Sequence, residues 1–199
     1  PGGISMILTR EEIRWVRLAA DALTFSRLML GLAMLVCPLL LEQSRALAAV
    51  LWLNLAGLAT DALDGELGRY SGTALTWIGK NDYLFDLGLA FCTTVALARL
   101  GFLWWWFPVA WAPCFLYFSL RFPTDTVRMG FLFILLVPPP FLALVYQRTI
   151  GLAYILFIIL AAAFKYQRLI QNINLFIEGL PGAGRQRLQA VLRHLLKDR

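Results

Sequence analysis

The chain has 199 residues, 60% of them hydrophobic and only 15% charged, with a mean hydropathy of +0.70. Soluble domains carry about 25% charged residues, so the composition excludes that class and favours one membrane domain. The net charge of +6 suits flanks lying on an anionic bilayer better than it suits nucleic acid, which is not an expected partner.

In chain order, Pro1 to Ser5 read as an appended lead-in ahead of Met6. Thr9-Arg-Glu-Glu12 is a capping box that starts a helix. Arg10, Arg14, Arg17 and Asp21 line one stripe of it and Ile13, Val16 and Ala20 another. The spacing predicts a short amphipathic helix on the membrane surface within residues 1–21. Leu23 to Leu41 is the first predicted span, and Leu41 to Arg45 a polar turn. The apolar run is too long for a signal peptide and lacks a cleavage site. The second span occupies Ala46 to Ala59, and its helix continues through Asp61 to Gly68. A polar loop, Tyr70 to Thr76, precedes the third span, Asp82 to Leu100.

Gly101 to Trp106 is a turn ending in three tryptophans, the mark of a membrane interface. Phe107 to Leu120 is the fourth span and Arg121 to Arg128 a polar loop. Met129 to Tyr146 is the fifth, with a kink expected at Pro138-Pro139-Pro140. The sixth starts at Gly151. Residues 174–199 form a basic tail with Leu188, Val191, Leu192 and Leu195 on one face, a second interfacial helix. His194 falls on its polar face. Cys37, Cys92 and Cys114 lie in apolar runs and suggest neither disulfides nor a metal cluster. The predicted fold is an all-α integral membrane protein. Six transmembrane helices fill residues 22–173, with amphipathic interfacial helices at both ends.

Six crossings place both termini on one side. All of the 18 lysines and arginines except Arg45, Arg99 and Arg148 fall on that side, so the positive-inside rule makes it cytoplasmic.

The acidic residues concentrate between the second and third spans: Asp61, Asp64, Glu66, Asp82 and Asp86. Carboxylates at membrane depth are costly, by about 2.5–3.5 kcal/mol each on insertion scales, and mark function by default. At about 100° per residue, Asp61, Asp64, Gly65 and Gly68 share one helix face, whereas Glu66 points away. Asp82 and Asp86 lie one above the other on the next helix. Four carboxylates in one cleft call for protonation or a cation, and hard oxygen ligands suit Mg²⁺ or Mn²⁺. The glycines open the backbone to a ligand, and Arg69 offers a forked cation for phosphate. Together these features describe a pyrophosphate site.

These residues resemble the CDP-alcohol phosphotransferase (CDP-alcohol phosphatidyltransferase) family, whose signature is D-x2-D-G-x2-A-R-x8-G-x3-D-x3-D. Asp61, Asp64, Gly65, Arg69, Asp82 and Asp86 fall at its positions. Gly68 replaces the usual alanine, and the second glycine is displaced from position 78, occupied by Ile78, to Gly79. Leu23-Thr24-Phe-Ser-Arg27 also resembles the start of the family's first helix.

The resemblance implies a phospholipid-synthesising transferase in a bacterial or archaeal cytoplasmic membrane. It would move a phosphatidyl group from a CDP-diacylglycerol-type lipid nucleotide to an alcohol and release CMP. Asp61, Asp64, Asp82 and Asp86 would hold Mg²⁺ or Mn²⁺, two ions in all, and Asp86 would be the catalytic base. Arg69, Gly65, Thr24 and Gly68 would hold the nucleotide, and a homodimer with membrane-lipid partners is implied. Arg121, Arg128, Lys165 and Arg168 lie at cytoplasmic helix ends, where the first two in particular could bind a phosphorylated acceptor such as glycerol phosphate or inositol phosphate. The alternatives are a Mg-dependent membrane prenyltransferase, which would need a second Asp-rich motif, and a non-enzymatic carrier using the intramembrane aspartates.

Overall fold

The computed structural model describes residues 10–70 and 76–164. Every regular element among them is helical: α1 (Arg10–Leu40), α2 (Gln43–Tyr70), α3 (Trp77–Lys80), α4 (Asp82–Arg99), α5 (Trp106–Arg121), α6 (Asp125–Leu136), α7 (Pro138–Tyr146) and α8 (Arg148–Phe164). The capping residue Thr9, Lys165, Arg168 and the predicted tail helix lie outside the described residues.

The elements differ from the sequence reading at several boundaries. First, α1 is one helix of 31 residues, with no boundary between a surface helix and the first span. No glycine or proline falls between Arg10 and Arg27, and Ala19, Ala20 and Ala22 are strong helix formers, so nothing stops the helix there. Second, Trp77–Lys80 forms a short helix, started by Thr76, whose Oγ1 accepts from the Gly79 N–H at 3.0 Å. Third, α6 begins at Asp125 instead of Met129. Thr124 caps it, its Oγ1 accepting from the Val127 N–H at 3.4 Å, and Asp125 sits in the positive first turn. The proline run acts more strongly than a kink. It divides the fifth predicted span at Val137, and Pro138 opens α7, where its missing N–H costs no hydrogen bond.

Among the described residues, three helical stretches are long and apolar enough to cross a membrane: Ile13–Leu40, Gln43–Gly65 and the α6–α7 stretch Asp125–Tyr146. The others are apolar but shorter or more charged. Helix α4 has 18 residues and carries Asp82, Asp86 and Arg99; α5 and α8 have 16 and 17 residues.

The core lies among α1, α2 and α4, where Met34, Leu47, Leu51, Leu89 and Leu97 are buried. Gly57 lets α2 approach α4 closely, since a Cβ there would stand 2.3 Å from Leu89 Cδ2. A buried polar ladder fixes the same helices. Asn54 Nδ2 donates to Thr93 Oγ1 at 3.0 Å, and the Tyr154 hydroxyl of α8 lies 2.8 Å from Asn54 Oδ1 and 2.9 Å from the Leu51 carbonyl. A second cluster joins α4, α5 and α6 through Ala90, Trp111 and Leu135, with Trp111 stacked on Phe115. Together these contacts hold the C-terminal end of α2 beside the N-terminal end of α4.

Candidate active site

The aspartates meet at that junction. Asp61, Asp64 and Asp82 each present a carboxylate oxygen, and the three oxygens lie within 4.8 Å of one another. Asp64 is buried, while the Asp61, Asp82 and Asp86 side chains keep partial exposure. The site is thus closed on the α1 side and open on the other.

The closing residue is Arg27, which sequence reasoning treated as a flank charge and as part of a helix start. Its side chain is fully buried and enters the cluster from α1. One guanidinium nitrogen donates to Asp64 Oδ2 and the other to Asp86 Oδ1. The latter nitrogen also stands 3.0 Å from Asp82 Oδ1 and 3.5 Å from Asp61 Oδ1. Arg27 therefore links both halves of the motif. A signal was available: it is the only basic residue between Arg17 and Arg45, and a lone charge inside a span needs a buried partner.

Thr24 lies one turn before Arg27. Its Oγ1 is 2.7 Å from Asp64 Oδ2 and 3.2 Å from the Ala20 carbonyl, so it bears on the carboxylate and is positioned to orient Asp64. Asp64 Oδ2 is then occupied by Thr24 and Arg27, whereas Asp64 Oδ1 is buried with no hydrogen-bond partner. Asp82 Oδ1 likewise has only the ion pair, without a hydrogen bond. Two buried carboxylate oxygens left without hydrogen bonds, in a group of three close carboxylates, are what an oxygen-seeking divalent cation requires. The residues fit such an ion.

Helix α3 flanks the site. Thr76 Oγ1 donates to Asp21 Oδ1 at 2.6 Å, tying α3 to α1. The displaced glycine, Gly79, supplies the backbone N–H that Thr76 caps. Gly65 lies on α2 next to Asp64 and is half-buried. The side chains of Glu66, Arg69 and Lys80, and the surroundings of Gly68, lie outside the described part.

Arg121 and Arg128 stand apart from the carboxylates. Arg121 lies over the Phe122 ring, 5.5 Å from its centroid. Arg128 pairs with Asp125 at 3.6 Å, and its carbonyl accepts from the Tyr83 hydroxyl at 2.9 Å. It lines a separate cavity of about 310 Å³ with Asn81, Tyr83, Leu84, Phe115 and Ser119. Ser119 Oγ is buried there without a partner. Asn81, which directly precedes Asp82, connects this cavity to the start of α4.

No curated protein and no solved structure matches the chain. A family model does match: the CDP-alcohol phosphatidyltransferase model covers residues 17–124. That stretch contains Thr24, Arg27 and all four motif aspartates, so the residues that build the cluster all lie within the matched span. The chain belongs to the CDP-alcohol phosphatidyltransferase family, whose members transfer a substituted phosphate group from a CDP-alcohol to an acceptor.

Proposed function

We propose that the protein transfers a phosphatidyl group from a CDP-diacylglycerol-type lipid nucleotide to an alcohol and releases CMP. The observation that carries this reading is the close group of Asp61, Asp64 and Asp82 carboxylates, set at the end of an apolar helix in a chain of this family. A donor with acyl chains in the bilayer and a polar cytidine pyrophosphate outside it suits a site at such a boundary.

Asp61, Asp64, Asp82 and Asp86 would hold Mg²⁺ or Mn²⁺, two ions in our reading. Bound there, such ions would neutralise the pyrophosphate and would stabilise the charge that leaves with CMP. Thr24 orients Asp64. Gly65, Gly68 and Arg69 hold the nucleotide, the glycines by leaving the helix backbone open and the arginine as a cation for phosphate. Asp86 takes the proton of the acceptor hydroxyl. The acceptor oxygen then bonds to the lipid-side phosphorus, the bond from that phosphorus to the bridging oxygen breaks, and the electron pair leaves with CMP.

The acceptor is proposed to be a phosphorylated polyol, of the glycerol phosphate or inositol phosphate type. The cavity lined by Arg128, Asn81, Tyr83 and Ser119 supports this: it offers a cation and polar groups beside the first turn of α4. The proposed topology has six spans with both termini and the site cytoplasmic, and the proposed assembly is a homodimer. The reaction is tested by incubating purified protein with CDP-diacylglycerol, Mg²⁺ and a panel of alcohols. CMP release that depends on an acceptor supports the transferase. Binding of the lipid nucleotide without CMP release in the presence of every acceptor would return the aspartates to a carrier role.

A further inference from the structure

Arg27 has an unusual position for a cation beside a metal site. It is fully buried, it comes from neither of the two motif helices, and it reaches all four motif aspartates. Two of them, Asp64 and Asp86, receive its direct charge-assisted hydrogen bonds. Its Nε is buried without a partner. A buried arginine is costly unless its donors are paired, and here the pairing is incomplete even with four carboxylates around it. The carboxylates in turn outnumber the one guanidinium, so the cluster stays net anionic.

We infer that Arg27 is a resident counter-cation that occupies part of the carboxylate cage and yields it when a divalent ion enters. The carboxylates face a choice between two cations. Without an ion, Arg27 holds Asp64 and Asp86 together and limits their repulsion. With an ion coordinated by the same oxygens, the guanidinium gives up at least part of these contacts. It is then available to a lipid nucleotide's phosphate, for which its planar fork is suited. Arg27 thus lowers the cage's affinity for a free ion and couples ion entry to phosphate binding. This role rests on the carboxylates being the ion site proposed above.

The test uses the full-length protein in detergent without lipid nucleotide. Mn²⁺ binding is followed by loss of the free-ion electron paramagnetic resonance signal. Wild type, Arg27→Gln, Arg27→Lys and Asp64→Asn are compared. Arg27→Gln removes the competing charge and should bind Mn²⁺ about tenfold more tightly, the factor that corresponds to about 1.4 kcal/mol. Arg27→Lys keeps a charge but loses the fork, and should fall between wild type and Arg27→Gln. Asp64→Asn should bind more weakly than wild type. Thermal unfolding provides a second readout. Arg27→Gln should melt below wild type without an ion and gain more from added Mg²⁺. A merely structural Arg27 would lower the melting temperature equally with and without Mg²⁺, and that result overturns the inference. So does an unchanged or weakened Mn²⁺ affinity in folded Arg27→Gln or, if that variant does not fold, in Arg27→Lys. Absence of Mn²⁺ binding to every form, wild type included, overturns the metal reading itself and this inference with it.

Discussion

The Arg27 guanidinium of α1 donates to the buried carboxylate of Asp64 on α2, and Thr24, one turn earlier on α1, lies 2.7 Å from the same oxygen. This pairing makes the first helix part of the site. It also orients Asp64, since both partners converge on Oδ2 and leave Oδ1 without a hydrogen bond. Thr24 adds no charge that competes with an ion, so it can keep its hold on Asp64 when Arg27 yields, and a carboxylate held on one side meets an ion at a smaller entropic cost than a free side chain would incur.

The four aspartates are expected to divide by role. Asp86→Asn should reduce turnover by about 10²–10⁴-fold, the range for loss of a positioned general base. Lipid-nucleotide binding should remain, because Asp61, Asp64 and Asp82 still form the close group. Asp61→Asn should weaken binding and turnover together. Binding measured with a labelled lipid nucleotide, beside a CMP-release assay, separates the two effects. Near-normal turnover in Asp86→Asn would remove Asp86 from the role of base.

Removal of divalent ions should abolish transfer, and Mg²⁺ or Mn²⁺ should restore it. Ca²⁺ should restore it poorly, since it prefers longer bonds and more ligands. Chelator titration followed by metal add-back measures this directly. Full activity in excess chelator would show that the carboxylates work without an ion.

Much of the site was legible because helical spacing is rigid. Asp61 and Asp64 had to share a face of one helix, and Asp82 and Asp86 a face of another, and the structure brings these faces together. Arg27 was missed as a site residue because its partners lie 34 to 59 positions away along the chain, where no local periodicity reaches. The helix boundaries failed for local reasons. The polar character of residues 10–21 predicted a separate surface helix, but polarity does not end a helix when no breaker follows. Likewise, the polar stretch before Met129 looked like a loop, although Thr124 and Asp125 are good helix starters. The proline run signals an interruption in the sequence, and in the structure three consecutive prolines make it a full break between α6 and α7.

Tyr154→Phe should destabilise the protein with little effect on the acceptor or nucleotide. Its hydroxyl is buried and lies 2.8 Å from Asn54 Oδ1, which in turn belongs to the side chain that bonds Thr93. Removing the hydroxyl leaves Asn54 Oδ1 without that partner. The expected loss is about 0.6–1.7 kcal/mol, the scale of interhelical hydrogen bonds in membranes. Unfolding in mixed micelles measures it, and a stability equal to wild type would show that Asn54 finds another partner.

The last expectation concerns the acceptor. Arg128 lines a mainly apolar cavity in which Asn81, Tyr83 and Ser119 are the other polar groups, and its carbonyl is fixed by the Tyr83 hydroxyl. Tyr83 follows Asp82 on α4, so the cavity and the carboxylates are coupled through one turn of helix. Its guanidinium shares Asp125, which is largely exposed. An exposed pair of this kind is weak, about 0–1 kcal/mol, and a phosphate can displace it at small cost. Replacing Arg128 with alanine should therefore raise the acceptor's KM by about tenfold or more, as expected for loss of a charge-assisted hydrogen bond of about 1.5–3 kcal/mol. The KM for lipid nucleotide should change far less. Arg121→Ala should act in the same direction if its guanidinium leaves the Phe122 ring for the phosphate. The readout is steady-state kinetics with each substrate varied in turn. If both variants match wild type, or an unphosphorylated alcohol proves the better acceptor, the arginines serve topology alone and the acceptor is not a phosphorylated polyol.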